Sequence, residues 1–253
     1  MLQETCDAIR GRSHEIEQHI IDNWNAGSPV EQYGRLVNVV AQYGAATNQK
    51  HLTVPKPCMI IASADHGVAD MGVSAYPKET TVGMTQNYLI PKGAGANSLA
   101  NYCGAQMEVI DMGIDADMSW VPGLRSHKLG MGTKNFVEEP AMTREQAIEG
   151  IETGIRLVKE KIDEGFNVFL VGEMGISNTT ASALMTAKFA GLTAEEATGR
   201  GTNISDERLK LKQRIVHDVL EKYKDIPKDD AIGILSSVGG FEFTCIVGVI
   251  LGA

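Results

Sequence analysis

The chain has 253 residues, a formal net charge of −9, a hydrophobic fraction of 43% and four cysteines. That length can bury a sizeable core and suits one large α/β domain. An acidic balance with no basic block argues against binding a nucleic-acid backbone as a main function. Cys6, Cys58, Cys103 and Cys245 show no CxxC spacing and read as reduced core thiols of a cytoplasmic protein, not as zinc ligands or disulfides. Glu4 and Asp7 stand where a signal peptide would be basic, and no apolar run reaches about 18 residues, so neither export nor a membrane span is expected.

In chain order, residues 2–24 and 30–47 read as two amphipathic helices around a turn at Ala26-Gly27-Ser28-Pro29, and 51–57 as a linker. Cys58–Ser63 is a short apolar strand running into the polar loop Asp65-His66-Gly67-Val68, at the strand end where open α/β sheets bind ligands. A helix from about Lys78 follows, then one over Gly95–Tyr102 closed at Gly104, then a strand over Gln106–Asp111. Residues 112–135 form a long glycine- and methionine-rich excursion. Thr143 and Gln146 make a capping box for a helix ending at Gly165, and Ile148, Ile151, Ile155, Val158 and Ile162 give it a face to pack on a sheet. The alternation predicts an α/β fold, a Rossmann-like parallel sheet flanked by helices, over residues 51–253, with a small helical domain from the N-terminal region, 1–50.

The most informative stretch is Phe166–Phe189. Phe166–Val171 reads as a buried strand, Gly172–Ser177 as a glycine-punctuated turn, and Asn178, Thr179 and Thr180 as caps of a helix beginning near Ala181. Backbone N–H groups at such a turn favour a phosphate, and Glu173 within it can accept from a sugar hydroxyl or a ring N–H. The same residues also describe a plain tight connection with a surface glutamate. The later helix, from Ser205 to about Lys224, sets Lys212 on the apolar face of Leu209, Val216, Val219 and Tyr223. That lysine either reaches out to water or points a cation at an anion in the crevice. No GxGxxG follows any strand, which disfavours a dinucleotide-dependent oxidoreductase.

Three segments then carry a resemblance: Ala64–Pro77 (ADHGVADMGVSAYP), Gly172–Thr180 (GEMGISNTT), and the pair Gly199–Asn203 (GRGTN) with Val238–Phe243 (VGGFEF). In this order they closely resemble nicotinate-nucleotide:dimethylbenzimidazole phosphoribosyltransferases, from about Cys58 to the last residue. The resemblance implies a homodimer, no cofactor and no metal. It also implies attack of a benzimidazole nitrogen on nicotinate mononucleotide to give α-ribazole 5′-phosphate and nicotinate, in cobalamin nucleotide-loop assembly. It carries Tyr76 and Met84 to the walls of the base site and Glu173 to the carboxylate of the substrate pocket. Gly175, Ile176, Asn178 and Thr179 go to the loop around ribose and phosphate, Asn203 and its neighbours to the nucleotide side, Lys212 to the phosphate, and Met174 to the substrate-binding residues. His66 is expected to anchor a loop by hydrogen bonds. Two departures stand out. The family's N-terminal Lys-Pro-Pro-Gly-Ser-Leu-Gly-Arg-Leu pattern is reduced to Gly27-Ser28 and Gly34-Arg35-Leu36. Val249–Ala253 falls inside a segment that continues in the family, so its further strands, a phosphate-contacting loop and the general-base glutamate are expected from a longer product or a second polypeptide.

Overall fold

The computed structural model describes residues 1–27 and 30–253; Ser28 and Pro29, half of the expected N-terminal turn, lie outside the described residues. The first expected helix is divided into α1 (Leu2–Ala8) and α2 (His14–Gly27). The break follows from Ser13, whose Oγ accepts from the Ile16 amide at 3.3 Å and whose carbonyl accepts from Glu17, starting a new helix. The second is also divided, into a short 3₁₀ turn at Val30–Tyr33 and α3 (Leu36–Ala46), with Gly34 at φ +55° between them. Ile16, Ile20 and Ala41 join α2 to α3, and Gly44 permits the approach, since a Cβ there would lie 2.3 Å from Ile20 Cδ1. Residues Gln3–Pro55 form one compact unit; Met1–Leu2 with Lys56–Ala253 form another.

In the larger unit the elements run β1 (Pro57–Ala64), α4 (Thr80–Leu89), α5 (Gly95–Cys103), β2 (Gln106–Gly113), β3 (Leu124–Ser126), α6 (Arg144–Asp163), β4 (Val168–Met174), α7 (Asn178–Ala190), α8 (Ala194–Ala197), α9 (Asp206–Lys222), α10 (Ala231–Val238) and α11 (Phe241–Gly252). The four strands make a parallel sheet in the order β3-β2-β1-β4. The apolar run of β1 suits its position between two strands, where both faces are covered. Thr143 and Gln146 cap α6 reciprocally, as their spacing requires.

α11 lies against β1, β2 and β4 and takes the glycine-lined face of α6. A Cβ on Gly154 would stand 2.1 Å from the Cys245 carbonyl oxygen, and one on Gly248 would stand 1.9 Å from that of Ile151, so these helices meet backbone to backbone. This revises the expected face of α6: Ile151, Ile155 and Val158 are buried, but Ile162 is 40% exposed, and the principal partner is a helix. Neither α10 nor α11 is legible as a helix in the sequence. The excursion at 112–135 contains β3, which pairs Val109 with Leu124 and Asp111 with Ser126. Two of the four cysteines, Cys6 and Cys103, are exposed, while Cys58 and Cys245 are buried; all four are free. Among the described residues no helix is long and apolar enough to cross a membrane.

Candidate active site

The strand order reverses at β1, which has β2 on one side and β4 on the other. Ligands of open parallel sheets bind outside the carboxyl ends of strands at such a point. Pairing of Ser63 with Met174 sets the Asp65–His66 loop beside the Gly175–Ser177 loop. The strand expected to be buried over Phe166–Val171 is instead the partly exposed edge strand β4, shifted to run on through Met174, so Glu173 stands opposite Ala62 and not within a turn. α7 likewise begins at Asn178, three residues before the expected start. Its N-cap is Ser177 at φ +76°, with no side-chain cap bond. Asn178 and Thr179 therefore belong to the first helical turn, and the Asn178 amide side chain donates to Glu173 Oε2. Partial desolvation pushes the Glu173 carboxyl above its ordinary range, with Glu242 adding to that push while Asn178 and His66 oppose it. Glu173 is exposed, so solvent tempers the effect.

Two of the amides expected to face an anion are already bonded within the protein. The Ile176 N–H donates to Thr81 Oγ1 at 3.2 Å and the Asn178 N–H to the Gly175 carbonyl at 3.2 Å. The cation is better placed. Lys212 is 1% exposed on the buried face of α9, so it does not reach out to water. Its Nζ donates to Thr179 Oγ1 at 2.8 Å and to the Gly199 carbonyl at 3.3 Å. It has no carboxylate partner among the described residues, and burial lowers it to about 8. Gly201, at φ +63°, closes this corner; a Cβ there would lie 2.8 Å from Thr179 Oγ1.

Asn203 is exposed with φ +58°, and its loop is tied down through its neighbour Thr202. Thr202 Oγ1 accepts from the Ala75 amide at 2.9 Å and lies 3.2 Å from Ser74 Oγ. Arg208 donates to the Ser74 carbonyl at 2.8 Å. These bonds hold the two residues just before Tyr76, which is itself 56% exposed. Met84 and Met174 are half-buried together against Ile61, Tyr88, Ala94 and Val109. The structure thus joins Glu173 to Asn178, Thr179 to Lys212, and Met84 to Met174, with Tyr76 and Asn203 on two linked loops.

Sequence reasoning reached Thr202 only as a neighbour of Asn203 and missed Thr81, Arg208 and Glu242. Only Glu242 left a signal, an acid between two phenylalanines; it is fully buried, with Oε1 2.8 Å from His66 Nε2. A separate cleft of about 610 Å³ opens beside the β1 loop, and none of the predicted residues lines it. Its Lys78 and Lys134 are outnumbered by Asp70, Asp115, Glu138 and Glu139, which does not suit a phosphate. Among the described residues no group of three His, Cys, Asp or Glu side chains is placed to hold a metal ion.

A family model described as phosphoribosyltransferase matches residues 9–253. The chain belongs to this phosphoribosyltransferase family. A nicotinate-nucleotide–dimethylbenzimidazole phosphoribosyltransferase of Geobacter sulfurreducens is 43% identical over 228 residues, which is 90% of this chain and 64% of the relative. The protein of the same name from Chloroflexus aggregans is 42% identical over 225 residues, 89% of this chain and 63% of its own. This family member therefore spans somewhat less than two thirds of the length of these relatives. The crystal structure of CobT from Thermus thermophilus superposes with a TM-score of 0.87 at 32% identity, covering 94% of this chain and 71% of that one. The α/β class and parallel sheet expected from the sequence agree with that neighbour.

Proposed function

We propose that this chain carries the mononucleotide and base sites of a nicotinate-nucleotide:dimethylbenzimidazole phosphoribosyltransferase. The buried, uncompensated ammonium of Lys212 carries the reading. A cation held at the start of α7 with only a hydroxyl and a carbonyl for company is completed by an anionic ligand, and a 5′-phosphate fits it. Glu173, two residues before Gly175, accepts from a ribose hydroxyl or the azole N–H. Met84, Met174 and Tyr76 offer flat apolar surface to the base, and Asn203 borders the nucleotide.

In the reaction an azole nitrogen forms a bond to the anomeric carbon of nicotinate mononucleotide. The bond from that carbon to the pyridinium nitrogen breaks, nicotinate leaves with the electron pair, and the azole N–H proton passes to the general-base carboxylate of the segment that completes the site. The products are α-ribazole 5′-phosphate and nicotinate, and 5,6-dimethylbenzimidazole or a related base is the acceptor. A homodimer in the cytoplasm, with a further segment or second polypeptide completing the site, belongs to the same proposal. Isothermal titration of the folded chain with nicotinate mononucleotide tests it. Micromolar to millimolar binding that Lys212→Ala weakens is expected, and no binding overturns the reading. Turnover by the purified chain alone would show that no second polypeptide is needed.

A further inference from the structure

His66 and Glu242 lie directly behind the candidate site, yet neither has a part in the proposal above. Both side chains are fully buried, one on the β1 loop and the other in the first turn of α11. Two glycines close over them. A Cβ on Gly175 would stand 2.6 Å from the Ala64 carbonyl oxygen and 3.2 Å from His66 Cδ2, and one on Gly240 would stand 2.5 Å from both His66 Cε1 and Glu242 Oε2. The imidazole is thus wedged between the backbone of the Gly175 loop and that of the turn before α11. Phe243 meets its ring edge-on at 6.2 Å. His66 Nδ1 and Glu242 Oε2 have no protein hydrogen-bond partner, so the pair is costly to bury. Apolar residues of the same volume commonly stabilise such a place as well or better, and a buried ion pair is therefore weak evidence of a purely stabilising role.

We propose that His66 and Glu242 are a positioning pair for the β4–α7 connection, holding Gly175 against the end of β1 and so fixing where Glu173 presents its carboxylate. The charges facing His66 come from three elements: Glu242 on α11, Asp65 beside it on the β1 loop, and Glu173 on β4. Burial pushes the imidazole down, but the Glu242 charge and hydrogen bond, with Asp65 and Glu173, outweigh it and leave His66 above the ordinary histidine value. Glu173 in turn responds to both members of the pair. The ligand carboxylate and the buried pair therefore form one electrostatic unit, while Lys212 lies outside it.

The pair acts on the ligand only through the proposed function, so the experiment has a ligand-free arm and a ligand arm. In the first, the chain is labelled with ¹⁵N in histidine and the His66 ring nitrogens are followed against pH, in wild type and Glu173→Gln. Removing a negative neighbour lowers the His66 midpoint; an unchanged midpoint overturns the proposal. In the second, Glu242→Gln is compared with wild type at a temperature where both are folded. Affinity for nicotinate mononucleotide falls roughly tenfold, while affinity for inorganic phosphate, which reports Lys212, changes less than about twofold. Equal mononucleotide affinity in the two proteins overturns the positioning role and leaves the Lys212 reading intact. Failure of the wild type to bind either ligand counts against the proposed function, and the ligand-free titration then decides on the pair alone. The same arm decides if Glu242→Gln does not fold.

Discussion

Two lysines are buried in the larger unit, and their surroundings are opposite. Lys161, on the last turn of α6, has Glu108 Oε1 and Glu164 Oε1 each at 3.0 Å. Burial pushes it down, but hydrogen bonds to the two carboxylates push it further up, and it stays above the ordinary lysine value. Lys212, at the end of the sheet where ligands bind, has a threonine hydroxyl and a peptide carbonyl, and burial alone lowers it to about 8. The first cation is complete within the fold and needs nothing further. The second is held at a cost that the protein's own groups do not offset, and the proposed phosphate would supply the charge it lacks.

Replacing Lys212 sharpens this contrast most. Its value falls from 10.5 to about 8 on folding, so the folded chain binds fewer protons than the unfolded chain between those limits. Stability should therefore rise with pH across that window, and the penalty is fully present below it, at up to about 3 kcal/mol. Lys212→Met is expected to raise urea stability at pH 7 by about 1–3 kcal/mol and to remove the alkaline slope, while phosphate affinity falls about a hundredfold. A destabilised variant would break the comparison. Lys161→Met is expected to do the reverse. It leaves Glu108, which is mostly buried, beside Glu164 with only the Gln106 amide at 2.7 Å and Arg125 at 3.9 Å, so urea denaturation should show a loss of about 1–2 kcal/mol with phosphate binding unchanged. The smallest effect belongs to Thr202→Val, which removes the acceptor of the Ala75 amide and loosens the chain beside Tyr76. A loss of about 1 kcal/mol in azole affinity by fluorescence titration, with phosphate affinity kept, is expected.

The contrast between the lysines is half legible in the sequence. The spacing of Leu209, Val216, Val219 and Tyr223 places Lys212 on the buried face of α9, because a 3.6-residue period is local information. Whether the ammonium turns inward is not local, since that depends on Thr179 and Gly199, which another part of the chain brings to it. The capping box at Thr143 and the close of α5 at Gly104 are legible for the same local reason. The start of α7 is not. Gly172 and Gly175 look alike as punctuation, yet Gly172 pairs with Ile61 inside the sheet and only Gly175 begins the turn. α11 is hidden by its uniform apolar composition, which gives no period, and by glycines that only the backbone of α6 explains. His66 and Glu242 are 176 positions apart, and no local pattern links them.

The most direct test is the titration of the Lys212 ammonium itself, followed by NMR of the side chain with and without nicotinate mononucleotide. Without ligand the midpoint should lie at about 8, and in the complex it should climb to or beyond the ordinary 10.5 as the phosphate supplies the missing charge. A midpoint already near 10.5 in the free chain, or one that does not move when the nucleotide saturates, would contradict the account.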